Sequence, residues 1–432
     1  MSLKRSIRRL ARRFTRARLL LVTLPLAAWL LAGAAAKWKL ARADTELSRH
    51  VGTRDDYRRL HARSETNASA LRLERLADAL EIDLVPSRAT RDWTRSRRGR
   101  RWPLETALRT WLPAELGAEN LTVGEVPEDL SFFLRDRRGQ LDALVEHVGS
   151  SPPPRWALDP DDTSYIRYVE LSGHLRLSTM LVAAALADER AGRHACARAE
   201  LDAAWTLASE LARSPHGLPK RYALIEMQTC LIALRKLELN EETAAWQERL
   251  REFPFTEAGS LVPLGEINGH RVFIEHGFDP FAGCGGPSAW IEWLAQPVAR
   301  SSLADTFDVY RSAIEWGRRT PPELGALASD AVPSDPAPGW NPITNNMAPD
   351  VNRPLRHLRR VQLDLEMTRQ VLRAKADAQR LSARITDEVT GPNPRWRWRR
   401  ELSPDGALTL TWLGPPAWDG GRSFALDAAL DG

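Results

Sequence analysis

Four residues near the middle of the chain, Glu266, His270, Glu275 and His276, form its densest run of side chains able to move protons or ligate metal. Glu266 and His270 stand four apart, so on a helix they share a face. Imidazole beside carboxylate suits a zinc-type ion or general acid–base work. The same spacing serves an ordinary surface ion pair, and that reading ranks first. Glu266 and His270 therefore remain the candidates for a catalytic pair, and no catalytic residue is assigned. No phosphate-cradling loop, dinucleotide fingerprint, zinc-protease helix or nucleophile elbow stands in a supporting context, so neither cofactor nor metal is assigned. His174, set among Leu and Ala with Arg167 and Glu170 nearby, reads as a core histidine with its hydrogen bonds satisfied.

A second chemistry is anion contact. Residues 88–101 hold seven arginines against one acid, Asp92. Arg91, Arg95, Arg97, Arg98, Arg100 and Arg101 surround Trp93 and lead to Trp102. Guanidinium forks suit phosphates, and indoles suit a bilayer interface or base stacking. These residues are the candidates for lipid or polyanion contact, with a solvated loop as the plainer reading. Asp159, Asp161 and Asp162 lack the Gly and Glu of a calcium loop and read as helix-capping residues. Cys196, Cys230 and Cys284 contain no C-x-x-C pair. On adjacent antiparallel helices Cys196 and Cys230 fall about 9 Å out of register, which predicts free thiols.

The charge balance decides between partner classes. Residues 1–18 hold Lys4, Arg5, Arg8, Arg9, Arg12, Arg13, Arg16 and Arg18 and no acid; the rest of the chain keeps 53 basic residues against 56 acidic ones. The basic character thus belongs to the leader, and the body has no general reason to seek nucleic acid. Sixteen tryptophans fit filling between helices, with sugar, lipid or protein contact as the alternative.

Behind the leader, residues 19–36 read LLLVTLPLAAWLLAGAAA, eighteen uncharged positions close to the roughly 20 that cross a hydrocarbon core. The positive side stays in the cytoplasm, so the remainder is predicted on the periplasmic side of a bacterial inner membrane. Ala34-Ala35-Ala36 and Ala41-Arg42-Ala43 both match small-x-small cleavage sites, yet the length of the run and leader favours an uncleaved signal-anchor.

The elements that would carry these residues are mainly helical. After the leader (1–18) and transmembrane helix (19–36) come a stalk and first helical region (37–149), with a spacer helix over 57–80 and another over 127–148. A proline-rich break follows at 150–162. The central helical bundle spans 150–319, a Pro-rich linker 320–354, and a long helix from 355 to 389 leads to a small β-hairpin built on Trp396, Trp398, Leu402, Leu408, Leu410 and Trp412. An isolated hairpin is marginal in water, so it is predicted to pack on that helix. Residues 181–207 place Leu181, Ala185, Gly192, Ala197, Leu201 and Ala204 at close-packing positions, and this stretch resembles a single tetratricopeptide-type hairpin. The resemblance implies an αα-hairpin; no second copy follows at the period of about 34 residues, so the fold class expected is an irregular helical bundle.

These readings converge on a membrane-anchored helical protein with a protein partner, a scaffold component of the cell envelope. The alternative is a periplasmic hydrolase or lyase acting on an envelope polymer.

Overall fold

The computed structural model describes residues 2–62, 65–84, 105–118, 121–157, 171–214, 216–239, 242–251, 267–268, 271, 289–317, 352–378, 385–390, 397–402, 407–413 and 425–429, with side chains from residue 23 in the first helix and from 296 in the helix that begins at 289. In chain order the helices are α1 (Ser2–Val51), α2 (Arg54–His61), α3 (Ala68–Ala79), α4 (Glu105–Gly117), α5 (Glu128–Asp136), α6 (Arg138–Ser150), α7 (Leu171–Arg190), α8 (His194–Ala212), α9 (Gly217–Lys236), α10 (Thr243–Arg251), α11 (Ala289–Gly317) and α12 (Asn352–Ala378). Strands β1 (Ile385–Thr390), β2 (Arg397–Leu402), β3 (Ala407–Trp412) and β4 (Ala425–Ala429) close the chain. Two units divide it: one comprises Met1–Asp56, Ile267–Ala313 and Ser334–Pro349, the other Tyr57–Glu266, Ile314–Pro333 and Asp350–Gly432. Each unit draws on separated stretches, a division that the linear order of motifs did not display.

In the first unit, α1 changes character along its length. Residues 23–28 are all exposed, and cover begins only at Trp29 and Gly33. From there Ala36, Leu40, Ala43 and Leu47 are buried at spacings of four, three and four. Ala299, Leu303, Thr306 and Tyr310 of α11 are buried at the same spacings, with Phe307 fully enclosed beside them. Matching seven-residue patterns of this kind give the two helices apolar stripes that can share one seam. Ion pairs flank it: Lys39 Nζ lies 2.5 Å from Asp305 Oδ1, and Arg311 Nη1 lies 2.5 Å from Glu46 Oε2. A Cβ added at Gly33 would sit 3.9 Å from Pro297 Cγ, in ordinary contact. The partners 33/297, 39/305 and 46/311 advance together, so the two helices run parallel. Arg271 then ties down the end of α1, donating to Asp44 Oδ1 at 2.8 Å, Ser48 Oγ at 2.7 Å and the Gly52 carbonyl at 3.1 Å. Gly52 takes φ +81 to leave the helix. Thr53 and Asp56 exchange hydrogen bonds as a capping box that starts α2. Among the described residues no helix is long and apolar enough to cross a membrane.

The second unit is built around α7, α8 and α9. α7 is buried on nearly every side, from Leu177 through Met180 to Leu186, because its Ala and Leu run offers no charged face until Asp188. The α7–α8 hairpin turns at Gly192, φ +73. Arg193 N–H donates to the Asp188 carbonyl at 2.8 Å and Gly192 N–H to that of Glu189 at 3.0 Å, a Schellman cap that needs the left-handed residue. Leu181, Ala185, Ala197, Leu201 and Ala204 are all fully buried, so the small residues do permit the close helix approach expected. α12 packs on α9 through Arg235, which donates to Asp364 Oδ1 at 2.6 Å and Thr368 Oγ1 at 3.0 Å, all three side chains being buried. Val361, Leu365 and Leu372 of α12 join the same core. Lys236 reaches across to Glu115 Oε1 of α4 at 2.8 Å.

Three local expectations are corrected. The stretch 57–80, read as a solvated spacer, contains α3, whose Leu73, Leu76 and Ala77 are buried with Leu80 in the main core. Its alanine completes an apolar stripe that leucines alone do not show. Residues 151–157, the described part of the proline-rich break, are pinned to the helical body. Asn67 accepts from Arg155 N–H at 3.1 Å and donates to the Pro153 carbonyl at 2.9 Å, and Trp156 Nε1 donates to Glu74 at 2.8 Å. The helix expected over 127–148 is two helices, broken at Arg137. The long helix ends at Ala378, and residues 385–390 are strand β1, where the β-branched Ile385, Thr386, Val389 and Thr390 favour the extended chain.

The C-terminal hairpin is part of a larger meander, β1-β2-β3-β4, antiparallel throughout. Trp398, Arg400, Leu408 and Leu410 alternate inward and are buried. Arg400 donates to both Asp387 oxygens, at 2.9 and 2.7 Å, and to Asp377 Oδ2 of α12 at 2.6 Å, which docks the sheet to the helix before it. The mainly helical class with a small antiparallel sheet therefore stands.

Candidate functional site

Residues 85–104, 252–266, 269–270 and 272–288 lie outside the described residues, and with them the anion-contact candidates and the Glu266, His270, Glu275 and His276 set. The described residues place titratable side chains together elsewhere, at three points of the α7–α8–α9 core.

The innermost is a pair. His174 Nδ1 lies 3.0 Å from Glu226 Oε1, both side chains buried, with Ser178 one turn from His174 on α7 and Cys230 one turn from Glu226 on α9. The core-histidine reading of His174 agrees with its position, and its partner is Glu226, 52 residues away, rather than a sequence neighbour. Serine, imidazole and carboxylate are the ingredients of nucleophilic catalysis, but the arrangement does not assemble them. Ser178 Oγ has no hydrogen-bond partner among the described residues, so the nucleophile–base bond is missing, and Ser178 is 1% exposed. Glu226 Oε2 also lacks a partner among the described residues. Burial pushes the Cys230 thiol well above its ordinary range, helped by the Glu226 charge, which makes it inert.

The second point lies beside the Gly192 turn. Arg138 at the start of α6 donates to Asp188 Oδ2 at 2.5 Å and Glu200 Oε1 at 3.0 Å, while Asp142 sits 2.8 Å from its Nε. Arg193 covers the other Asp188 oxygen at 2.5 Å. Asp188 and Glu200 are both buried, and burial followed by the neighbouring Asp188 charge pushes Glu200 up to about 8. Two carboxylates thus share one guanidinium, and one of them holds a proton near neutrality.

The third point is on the other side of the turn. Glu189, His194 and Glu238 bring one ligand atom each within 4.8 Å of one another, a donor set that fits a zinc-type ion in kind. Its bonding is that of an ion clamp. His194 Nδ1 faces Glu189 Oε2 at 3.0 Å and Nε2 faces Glu238 Oε2 at 3.4 Å, so each ring nitrogen addresses a different carboxylate, whereas a metal takes the lone pair of one. Glu189 Oε1 already accepts the Glu238 N–H at 2.9 Å. Lys375 donates to the adjacent Leu237 carbonyl at 2.9 Å; burial lowers it to about 8, against the pull of Glu189 and Glu238. The clamp therefore joins α7, α8, the end of α9 and α12.

All three sets escaped sequence reasoning because, apart from the turn residues and the Arg138–Asp142 pair, their members lie from about 40 to nearly 140 residues apart. One signal was present: Asp188 and Glu200 interrupt the buried stripes of otherwise Ala- and Leu-rich helices. Cys196 and Cys230 are free, as the register argument predicted; Cys284 lies outside the described residues.

No protein-family model, curated protein or solved structure matches this chain.

Proposed function

We propose that the chain is a single-pass protein of the bacterial inner membrane, with its N-terminus in the cytoplasm and a periplasmic helical body that serves as a protein-interaction or scaffold component of the envelope. The observation that carries this reading is the bare apolar flank of α1. Leu24, Leu26, Leu30 and Leu31 are 64, 44, 55 and 72% exposed, on a helix that is well covered only from Ala36 onward. A soluble protein rarely leaves such a surface open, and a bilayer would cover it. Residues 23–36, the part of the apolar run with described side chains, span about 21 Å, short of a hydrocarbon core of about 30 Å; residues 19–22 extend the run to about 27 Å. The eight basic residues ahead of the run orient it.

Alkaline carbonate extraction of bacterial membranes tests the tether. The full chain is expected in the pellet and a chain lacking residues 2–36 in the supernatant; a full chain released by carbonate contradicts the reading. For the scaffold role, crosslinking in intact cells should return a stoichiometric partner. A monomer that turns over an envelope polymer would favour the hydrolase instead.

A further inference from the structure

The parallel seam has a consequence for depth. Gly33 belongs to the apolar run, and it meets Pro297, which lies eight residues inside α11. The turn of α11 around Pro297 therefore lies level with the outer, C-terminal end of that run. The ion pairs Lys39–Asp305 and Glu46–Arg311 fix this register independently, because their offsets of 266 and 265 residues agree with it to within two residues. We infer that the turn of α11 at residues 296–298 enters the periplasmic leaflet beside the outer end of the anchor, so that the first unit sits in the membrane surface.

Val298 is 51% exposed and Trp38 65%, with Arg42 over the Trp38 ring at 5.7 Å, so apolar surface continues from both helices around the outer end of the run. The occupant of this surface is lipid, since the covering layer must also be the one that covers Leu24 and Leu31.

This inference rests on the anchor reading, and depth measurement separates the two. In full-length protein with Cys196, Cys230 and Cys284 replaced by Ser, an NBD fluorophore is placed at L31C, V298C or S312C, three exposed positions. Each is reconstituted in phosphatidylcholine/phosphatidylglycerol vesicles with and without doxyl-labelled lipid. Quenching at positions 31 and 298, with less than a third as much at 312, is the expected result. Quenching at 31 but not at 298 overturns the insertion of α11 and leaves the anchor standing. No quenching at 31 removes both. A match of the three variants to the parent by circular dichroism guards against misfolding, and Q296C supplies a second probe if V298C fails it.

Discussion

The Arg138 guanidinium lies 3.0 Å from the carboxyl of Glu200 and draws that side chain, which is 1% exposed, into a cluster with Asp188. Because Glu200 is raised to about 8 in the fold from an unfolded value near 4.5, the folded chain keeps a proton that the unfolded chain has released. Its contribution is fully present below pH 4.5 and is lost as pH rises toward 8. Urea unfolding followed by the near-ultraviolet signal of the edge-on Trp205–Trp246 pair should show stability falling from pH 5 to pH 8, and E200Q should flatten that slope. A slope unchanged in E200Q would remove Glu200 as its source. R138A is expected to cost about 2–3 kcal/mol at pH 7, less than the ~3–5 of a fully buried broken pair, because Arg193 still faces Asp188.

His174 and Glu226 are the deepest charge-capable pair of the core. H174A strands a buried carboxylate and is expected to cost about 3–5 kcal/mol, whereas H174L with E226L, which removes both polar groups, should return to within about 2 kcal/mol of the parent. A double-mutant cycle by chemical denaturation measures this. Additive losses would mean that the two side chains act independently.

Glu81 takes φ 62 at the end of α3, where Glu81 N–H donates to Asp78 and Ile82 N–H to Ala77 in a Schellman cap. This is the position that glycine fills without strain. E81G is expected to raise stability by about 1 kcal/mol, reduced only slightly by loss of the half-exposed contact to Arg137 at 3.5 Å. Unchanged or lower stability in the same denaturation assay would show that the backbone there is unstrained.

Cysteine accessibility checks the core directly. Cys196 is partly exposed and Cys230 is buried with its thiol pushed up, so a thiol-reactive disulfide reagent at pH 8 should modify Cys196 in the native C284S chain and reach Cys230 only on unfolding. Rapid native modification of both would contradict the packing of α9.

How much of this was legible beforehand follows the range of the interactions. The α7–α8 hairpin was readable because Leu181, Ala185, Ala197 and Leu201 repeat at helical spacing around a glycine that local geometry requires. The strand pair bearing Trp398 and Leu410 was readable from strict alternation. α3 was misread because its apolar stripe mixes alanine with leucine among many charges, and β1 because Ile385 and Val389 stand four apart and fit a helix as well as a strand. Beyond the core position of His174 and the acids that interrupt the buried stripes, the pairings of the polar clusters were out of reach: Arg138 meets Glu200 across 62 residues, and Lys236 meets Glu115 across 121. The parallel seam of α1 and α11 joins residues some 265 apart, though each half carries its own seven-residue pattern.

The anchor remains the claim on which the account turns, and a reporter enzyme fused after Gly432 measures it most directly. Alkaline phosphatase, which matures only outside the cytoplasm, is expected to be active in this fusion, and to lose that activity when residues 2–36 are deleted. Activity of a cytosol-restricted reporter at the same position, with the phosphatase fusion silent, would contradict it.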